Sequence, residues 1–310
     1  MDNLCHTLVG AAIGEAGLRT RTRFGAAALM ISANIPDLDV LSFLTDTSPV
    51  SFRRGWTHGI LAQIALPVLM TGAFWMWNRW RTPASDGTRP FRVGWLLALC
   101  FIGVYSHVFL DYLNNYGVRL LTPLDWRWFY GDSVFIIDIW LWLVLGIGVW
   151  LSRRRHSRKP STYAVAIAAL YIVAMLTSAR VARGIVAARW IEAHGSPPQA
   201  LMVGPYPVTP LTREVIVDAG DHYEHGSFAW PSSLELDPEH IAKNDHRPEV
   251  AVAREDPRIR ALLVWSRFPI FMLEPVDGGT RVTVTDARFR SRGGTFAAST
   301  IVPTHSSASD

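Results

Sequence analysis

The sequence predicts an α-helical integral membrane bundle followed by a C-terminal, mainly β soluble domain. Of the 310 residues, 49% are hydrophobic and 13 are tryptophans. Apolar residues concentrate in segments of about 18 to 20 residues, the length that crosses a bilayer. These segments are Gly59 to Asn78, Val93 to Leu110, Ser133 to Leu151 and Pro160 to Ala179. Further along the chain, shorter runs of β-branched and aromatic residues replace them, which favours strands.

The change in composition near residue 190 predicts two domains. We assign residues 1–190 to a helical transmembrane domain and residues 191–310 to a β-rich domain on the exoplasmic side, with a disordered tail. The segment VGPYPVTPLT is the expected linker, and the runs REVIVDA, ALLVWSRFPIFMLEPV and TRVTVTDARF are the expected strands. Asp277-Gly278-Gly279, between the last two runs, predicts a hairpin turn.

Two short apolar pieces precede the long segments. Leu4 to Gly17 and Phe24 to Ile35 lie on either side of the sequence RTRTR. At about 1.5 Å per residue, each is too short to span a bilayer fully. We expect a pair of short helices packed against the longer ones, with glycines such as Gly10 allowing close approach.

The basic residues predict which way the chain crosses the membrane. Clusters of arginine and lysine occur at residues 19–23, 79–92 and 153–159. The positive-inside rule makes these loops cytoplasmic. Arg180, Arg183 and Arg189 lie on the predicted outer side and count against an exoplasmic β domain. The net charge of +4 is weak evidence for a nucleic-acid partner, because the basic residues lie where membrane topology would put them. We expect a lipid bilayer and no nucleic acid as a partner.

Polar, ionisable residues gather at the predicted exoplasmic ends of the helices. The sequence SHVFLDYLNNYG places His107 and Asp111 four residues apart, on one face of a helix. The pair could hold one ion or simply hydrogen-bond to each other. Imidazole and carboxylate ligands together suit zinc, manganese or iron(II). A proton- or cation-coupled transporter would also concentrate such residues, and it remains the rival interpretation.

The order and spacing of several motifs also carry a family resemblance. MDNLCHTLVG, IPDLD, RGWTHG, SHVFLDYLNNYGVRLLTPLDW and the later Asp138 resemble the YdjM/YfhP-type membrane-bound metal-dependent hydrolases of bacteria, over roughly residues 1–150. That family is distantly similar to zinc-dependent phospholipase C and the P1-type nucleases, helical enzymes whose histidines and aspartates bind metal. The resemblance implies a divalent metal, zinc or else manganese, bound by residues drawn from His6, Asp37, Asp39, His58, His107, Asp111 and Asp138.

One motif departs from the family pattern. The family writes HRGxTHS where this chain has Arg53 in the first position and Gly59 in the last. A residue that binds or supports the metal could therefore be missing, which leaves the number of metals open.

The resemblance and the residues together predict a multi-pass enzyme of the bacterial cytoplasmic membrane. We expect a metal-dependent hydrolase that acts on an ester or phosphodiester bond of a lipid-like substrate. Asp37 or Asp39 could act as ligand and general base for water, and Arg54 could hold a phosphate oxygen. Asn114 and Tyr116 could orient ligands or substrate. A non-enzymatic membrane scaffold or cation-coupled transporter is the alternative.

A second histidine-containing sequence, DHYEH, runs from Asp221 to His225. It contains residue types that bind metals. Two histidines three residues apart in a β-rich segment are more often surface residues, and we favour that interpretation for His222 and His225.

Overall fold

A computed structural model describes residues 1–44, 54–81, 89–292 and 296–303. The chain divides into two compact units. The main break along the chain falls between Val181 and Ala182, and Gly204–Pro210 returns to the first unit. Because this break lies inside one continuous helix, it does not test the predicted domain boundary at residue 190. The predicted disordered tail at residues 306–310 lies outside the described residues, as do residues 45–53, which include Arg53.

The first unit is built from helices. In chain order they are α1 Asn3–Glu15, α2 Gly25–Ser32, α3 Ile60–Arg81, α4 Val93–Leu113, α5 Ile139–Arg154 and α6 Lys159–His194. A 3-10 segment, Ile35–Leu44, follows α2. The Asp2 carboxylate accepts hydrogen bonds from the first free amides of α1 and caps it. The predicted pair of short helices around RTRTR is confirmed.

Among the residues that the structure describes, three helices are long and apolar enough to cross a membrane: Ile60–Trp80, Val93–Leu113 and Lys159–His194. A fourth span, predicted from Ser133 to Leu151, is wrong in its bounds. Helix α5 begins only at Ile139, has 16 residues and is capped by Asp138. The residues before it stay irregular because the backbone amides of Ser133 and Val134 bond to the Leu113 carbonyl. The last span is also longer than predicted, since α6 continues to His194.

Helices α1, α2 and α4 of the first unit pack closely together. Helices α2 and α4 share an apolar cluster that includes Leu29, Leu96 and Leu99. A Cβ added at Gly103 of α4 would lie only 2.7 Å from Ser32 Cβ, and one at Gly10 only 2.9 Å from the Leu29 carbonyl oxygen. Such contacts require glycine, as predicted for Gly10, and they bring α1 and α4 directly against α2.

The second unit contains antiparallel sheets, which confirms the predicted fold class. Its strands are β1 Ala200–Pro205, β2 Thr212–Asp218, β3 His222–Ala229, β4 Ser233–Leu236, β5 Ile241–Ala242, β6 Pro269–Val276, β7 Gly279–Asp286 and β8 Ala297–Pro303. One sheet has the order β1-β2-β3-β4 with β5 also paired to β3, and the other has the order β6-β7-β8. Two short helices, α7 Pro248–Ala253 and α8 Pro257–Leu263, precede β6.

The hairpin prediction is confirmed, and two others need correction. Val276 pairs with Gly279 across a two-residue turn, in which Gly278 takes a φ of 82°. The expected linker at residues 203–212 instead contributes its first residues to β1, which hydrogen-bonds to β2. The run ALLVW does not open a strand, because α8 ends within it and the strand begins at Pro269.

Candidate metal centre

Four buried side chains converge in the first unit. Asp37, His58, His107 and Asp111 each offer one ligand atom, and these atoms all lie within 4.8 Å of one another. Asp37 comes from the 3-10 segment, His58 from the turn before α3, and the other two from one face of α4. The structure therefore joins the i,i+4 pair predicted from the sequence to two of the other predicted ligands.

Hydrogen bonds fix the tautomers of the two histidines. The Nδ1 atom of His107 lies 2.8 Å from the Ala33 carbonyl oxygen, which can only accept, so Nδ1 carries the proton. The hydroxyl of Thr57 donates to Asp39 Oδ2 at 3.0 Å. It therefore accepts from His58 Nδ1, which lies 2.9 Å from it. In their neutral forms, both imidazoles then present an unprotonated Nε2.

Those two Nε2 atoms face each other at 3.0 Å. Two lone pairs at this distance repel, so the pair is stable only with a proton or a metal ion between the two nitrogens. The Nε2 atom of His58 is also 3.3 Å from Asp111 Oδ2, and that of His107 is 3.8 Å from Asp37 Oδ1. Ligand atoms around a tetrahedral zinc are about 3.3 to 3.4 Å apart, given bond lengths of about 2.0 to 2.1 Å. The residues present therefore fit a divalent ion of this class.

The electrostatics of Asp37 point the same way. Burial raises the pKa of its carboxyl group, and the negative charge of Asp111 raises it further. Two carboxylates confined in a dry site are stabilised when a cation lies next to both.

His6 lies beside this cluster. Its Nε2 is 3.4 Å from Asp111 Oδ1, and its ring stacks on His107 with centroids 3.8 Å apart. Neither ring nitrogen makes a well-formed hydrogen bond to any residue that the structure describes. The α-amino group of Met1 is also buried against the Asp111 carboxylate. His6 is thus placed to bind the same ion or to hold Asp111.

Asp39 and Arg54, predicted as catalytic residues, make contacts that position others. Asp39 accepts a hydrogen bond from the Arg54 amide at 2.8 Å and another from Thr57, which holds His58. The Arg54 guanidinium lies 3.1 Å from Asp111 Oδ2 and donates to Asn114 Oδ1 at 3.0 Å. It also lies over the ring of Tyr116 at 5.4 Å. Asn114 and Tyr116 therefore contact the Arg54 guanidinium, and their predicted role in orienting ligands or substrate stays a prediction.

Asp138 has other partners. Its carboxylate accepts from the Leu141 amide at 2.9 Å and from the Tyr171 hydroxyl at 2.8 Å. It caps α5 and is not one of the four residues whose ligand atoms converge. A ligand role for Asp138 stays a prediction without support from this geometry.

Sequence reasoning missed two partners of the histidines. Thr57 precedes His58 directly, and a hydroxyl beside a candidate ligand is a signal that could have been used. The carbonyl of Ala33 has no such signal, because any residue at that position supplies the same backbone oxygen.

The DHYEH segment forms the start of β3, so its two histidines point to opposite faces of the sheet. His225 lies between two carboxylates, with Nδ1 2.7 Å from Asp237 and Nε2 3.3 Å from Glu214. These hydrogen bonds raise the pKa of His225 to about 9. His225 is therefore a charged, structural histidine and cannot share an ion with His222.

Comparisons with known proteins agree with the membrane character of the first unit. The model of a family described as YdjM inner membrane protein matches residues 1–182, which include every candidate ligand in the first unit. The uncharacterized protein YfhP of Bacillus subtilis (strain 168) is 22% identical over 306 residues, covering 94% of this chain and 88% of that protein. No solved structure matches significantly, so the likeness to phospholipase C and the P1-type nucleases stays a prediction.

Proposed function

This chain belongs to the YdjM inner membrane protein family. We propose that it is a multi-pass, metal-dependent hydrolase of the bacterial inner membrane. The observation that carries the proposal is the pair of Nε2 atoms 3.0 Å apart, each on a ring whose Nδ1 is already held by an acceptor. A purely structural histidine pair could share a proton at this distance. Two further carboxylates at the same point favour a metal ion.

The proposed ligands are Asp37, His58, His107 and Asp111, with His6 beside them. When bound, zinc or manganese would act as a Lewis acid that polarises the scissile bond and eases deprotonation of water. The chain's own residues prepare the site. Thr57 and Asp39 set the orientation of His58, the Ala33 carbonyl sets that of His107, and Arg54 balances the charge of Asp111.

A proton acceptor is also needed for hydrolysis. Asp39 is committed to the Arg54 amide and the Thr57 hydroxyl, so we assign the general base to Asp37. A carboxylate beside the proposed ion is the type of group that accepts a proton from water.

The surroundings favour a lipid-like substrate with an ester or phosphodiester bond. Trp56, two residues before His58, is 49% exposed and packs edge-on against the exposed Trp126, with ring centroids 5.4 Å apart. Leu124 in the same loop is 79% exposed. Tryptophan is enriched at membrane interfaces, where it contacts headgroups and acyl chains together.

The test is metal analysis followed by a screen of phosphodiester and phospholipid substrates on protein purified in detergent. We expect stoichiometric zinc or manganese, and metal-dependent hydrolysis of at least one substrate.

Asp111→Asn should lose both the metal and the hydrolysis, because an amide is a poor metal ligand, whereas the surface control Asp125→Asn should keep both. His107→Ala should lose the metal too, and adding it to Asp111→Asn should change little more, since both belong to one site.

Two outcomes would contradict the proposal. Folded Asp111→Asn protein that keeps its metal removes that residue from the ligand set. Bound metal without hydrolysis of any substrate would favour the scaffold or cation-coupled transporter.

A further inference from the structure

A second group of ligand-type side chains lies on one face of the first sheet in the second unit. His222, Glu224 and His240 each offer one ligand atom, and these atoms lie within 4.8 Å of one another. Residues 222 and 224 share a face of β3 because side chains alternate along a strand. The register of β3 with β5 pairs His222 with Ala242 and Tyr223 with Ile241. Continued by one residue, that register sets His240 opposite Glu224.

The distances within this group are close to those of a metal site. Glu224 Oε1 lies 3.7 Å from His222 Nε2 and 3.8 Å from His240 Nδ1. The two imidazole rings have centroids 4.5 Å apart. Zinc ligands at about 2.0 to 2.2 Å from the ion are about 3.3 to 3.6 Å apart, so small side-chain rotations close the site.

His222 is already oriented for this role. Its Nδ1 lies 2.6 Å from Asp221 Oδ1, and the carboxylate accepts the Nδ1 proton. Its Nε2 is buried and has no hydrogen-bond partner among the described residues. A carboxylate on one ring nitrogen with the other aimed at the ligand group is the arrangement that supports histidines at metal sites. His225 differs, because both of its nitrogens are held by carboxylates.

We propose that His222, Glu224 and His240 form a second site for a divalent transition metal of the zinc class. Two imidazoles and one carboxylate suit this class, and three protein ligands leave a coordination position open to water or a further ligand. His240 is 57% exposed, so the ion can exchange with solution. This site is separate from the proposed hydrolase centre and does not depend on it.

The experiment measures zinc bound to the full-length protein in detergent, by equilibrium dialysis and elemental analysis. We expect His222→Ala and His240→Ala each to bind one zinc equivalent fewer than the parent. The control His246→Ala, a nearby histidine with a 76% exposed side chain, should bind the parental amount. Glu224→Gln keeps the size of the side chain and should lose the same equivalent.

Combination with Asp111→Asn separates the two sites. The loss from the second group should appear in full on that background, whether or not Asp111 proves to be a ligand. Parental zinc content in folded Glu224→Gln and His240→Ala proteins would overturn the proposal.

Discussion

The hydroxyl group of Thr57 links Asp39 to His58, one of the four residues of the candidate metal centre. Thr57 donates to Asp39 and accepts from His58, so it determines which nitrogen of His58 faces the cluster. Removing a partner that orients a ligand costs about 10- to 100-fold in metal affinity. We therefore expect Thr57→Val to weaken zinc binding by about that factor, whereas Thr57→Ser should stay close to the parent. Competition with a zinc chelator measures both, and equal affinity of the valine variant and the parent would contradict the assignment.

The same residues show what the sequence could predict at this scale. The i,i+4 spacing of His107 and Asp111 predicts a shared face because helix geometry alone sets it. The approach of His58 and Asp37 depends on tertiary contacts. The predicted topology placed both at the exoplasmic end of the bundle, and the family resemblance named them as candidate ligands. Arg54 was predicted to contact the substrate. In the structure its Nε atom lies 3.1 Å from Asp111 Oδ2, an ion pair that a pattern of residue types does not reveal.

The close contact between α2 and α4 helps to set the position of His107 in the candidate metal centre. Gly103 lies against Ser32 and Ala33, and the Ala33 carbonyl holds His107. An added methyl group would come within 2.9 Å of the Ala33 amide nitrogen, so the helices must separate. We expect Gly103→Ala to lower stability by about 1 to 3 kcal/mol, the usual cost of overpacking, and to weaken metal binding as well.

Gly94 provides the matched control for that variant. It lies in the same helix, and a Cβ there meets nothing within 4 Å among the described residues. Gly94→Ala should therefore keep the parental melting temperature in detergent and the parental metal content. Equal behaviour of the two alanine variants would show that the α2–α4 contact does not set the position of His107.

In the second unit, Asp286 at the end of β7 forms a buried ion pair with Arg288 and hydrogen bonds to the segment before β6. Asp286 accepts hydrogen bonds from the Ser266 hydroxyl, the Phe268 amide and the Arg288 guanidinium. Burial alone would raise the pKa of Asp286, but Arg288 and these hydrogen bonds lower it to about 2. The folded-state pKa thus lies below the unfolded value of about 3.9, so the carboxylate stabilises the fold above that value. This contribution is lost as the pH falls through about 2.

Asp286→Asn tests that account. We expect a loss of about 3 to 5 kcal/mol at neutral pH, because Arg288 is left buried without its counter-charge. The difference from the parent should shrink as the pH falls from about 4 towards 2. Denaturant unfolding in detergent at several pH values measures it. The exposed partner of Arg281, changed as Glu274→Gln, should alter stability little at any pH. A pH-independent loss in Asp286→Asn would assign the effect to packing rather than charge.

Prediction of the elements succeeded where composition decides and failed where single contacts decide. The apolar lengths of α3 and α4 and the Asp277-Gly278 turn were visible in the sequence. The start of α5 was not, since the bonds from Ser133 and Val134 to the Leu113 carbonyl join residues about 20 positions apart. Likewise, the proline-rich sequence VGPYPVTPLT did not indicate that its first residues lie in β1 and pair with β2.

At the scale of the whole molecule, the positions of the basic residues predict which end of the helical unit faces the cytoplasm. The basic run RRRHSRK predicts that the loop between α5 and α6 is cytoplasmic. With α4 crossing outward, the metal centre at the end of α4 would then lie at the outer face, where it could act on lipid-like substrates of the outer leaflet.

Thiol labelling can determine this orientation, because both native cysteines, Cys5 and Cys100, are buried and give little background. We expect Leu124→Cys, at a position that is 79% exposed, to react with a membrane-impermeant thiol reagent in intact spheroplasts. Ser157→Cys, in the basic loop, should react only after the membrane is permeabilised. Both variants must first show parental metal content, so that labelling reports on a folded site. The reverse pattern, with position 157 labelled in intact spheroplasts and position 124 protected, would place the metal centre at the cytoplasmic face. The substrate would then have to come from the inner leaflet or the cytoplasm.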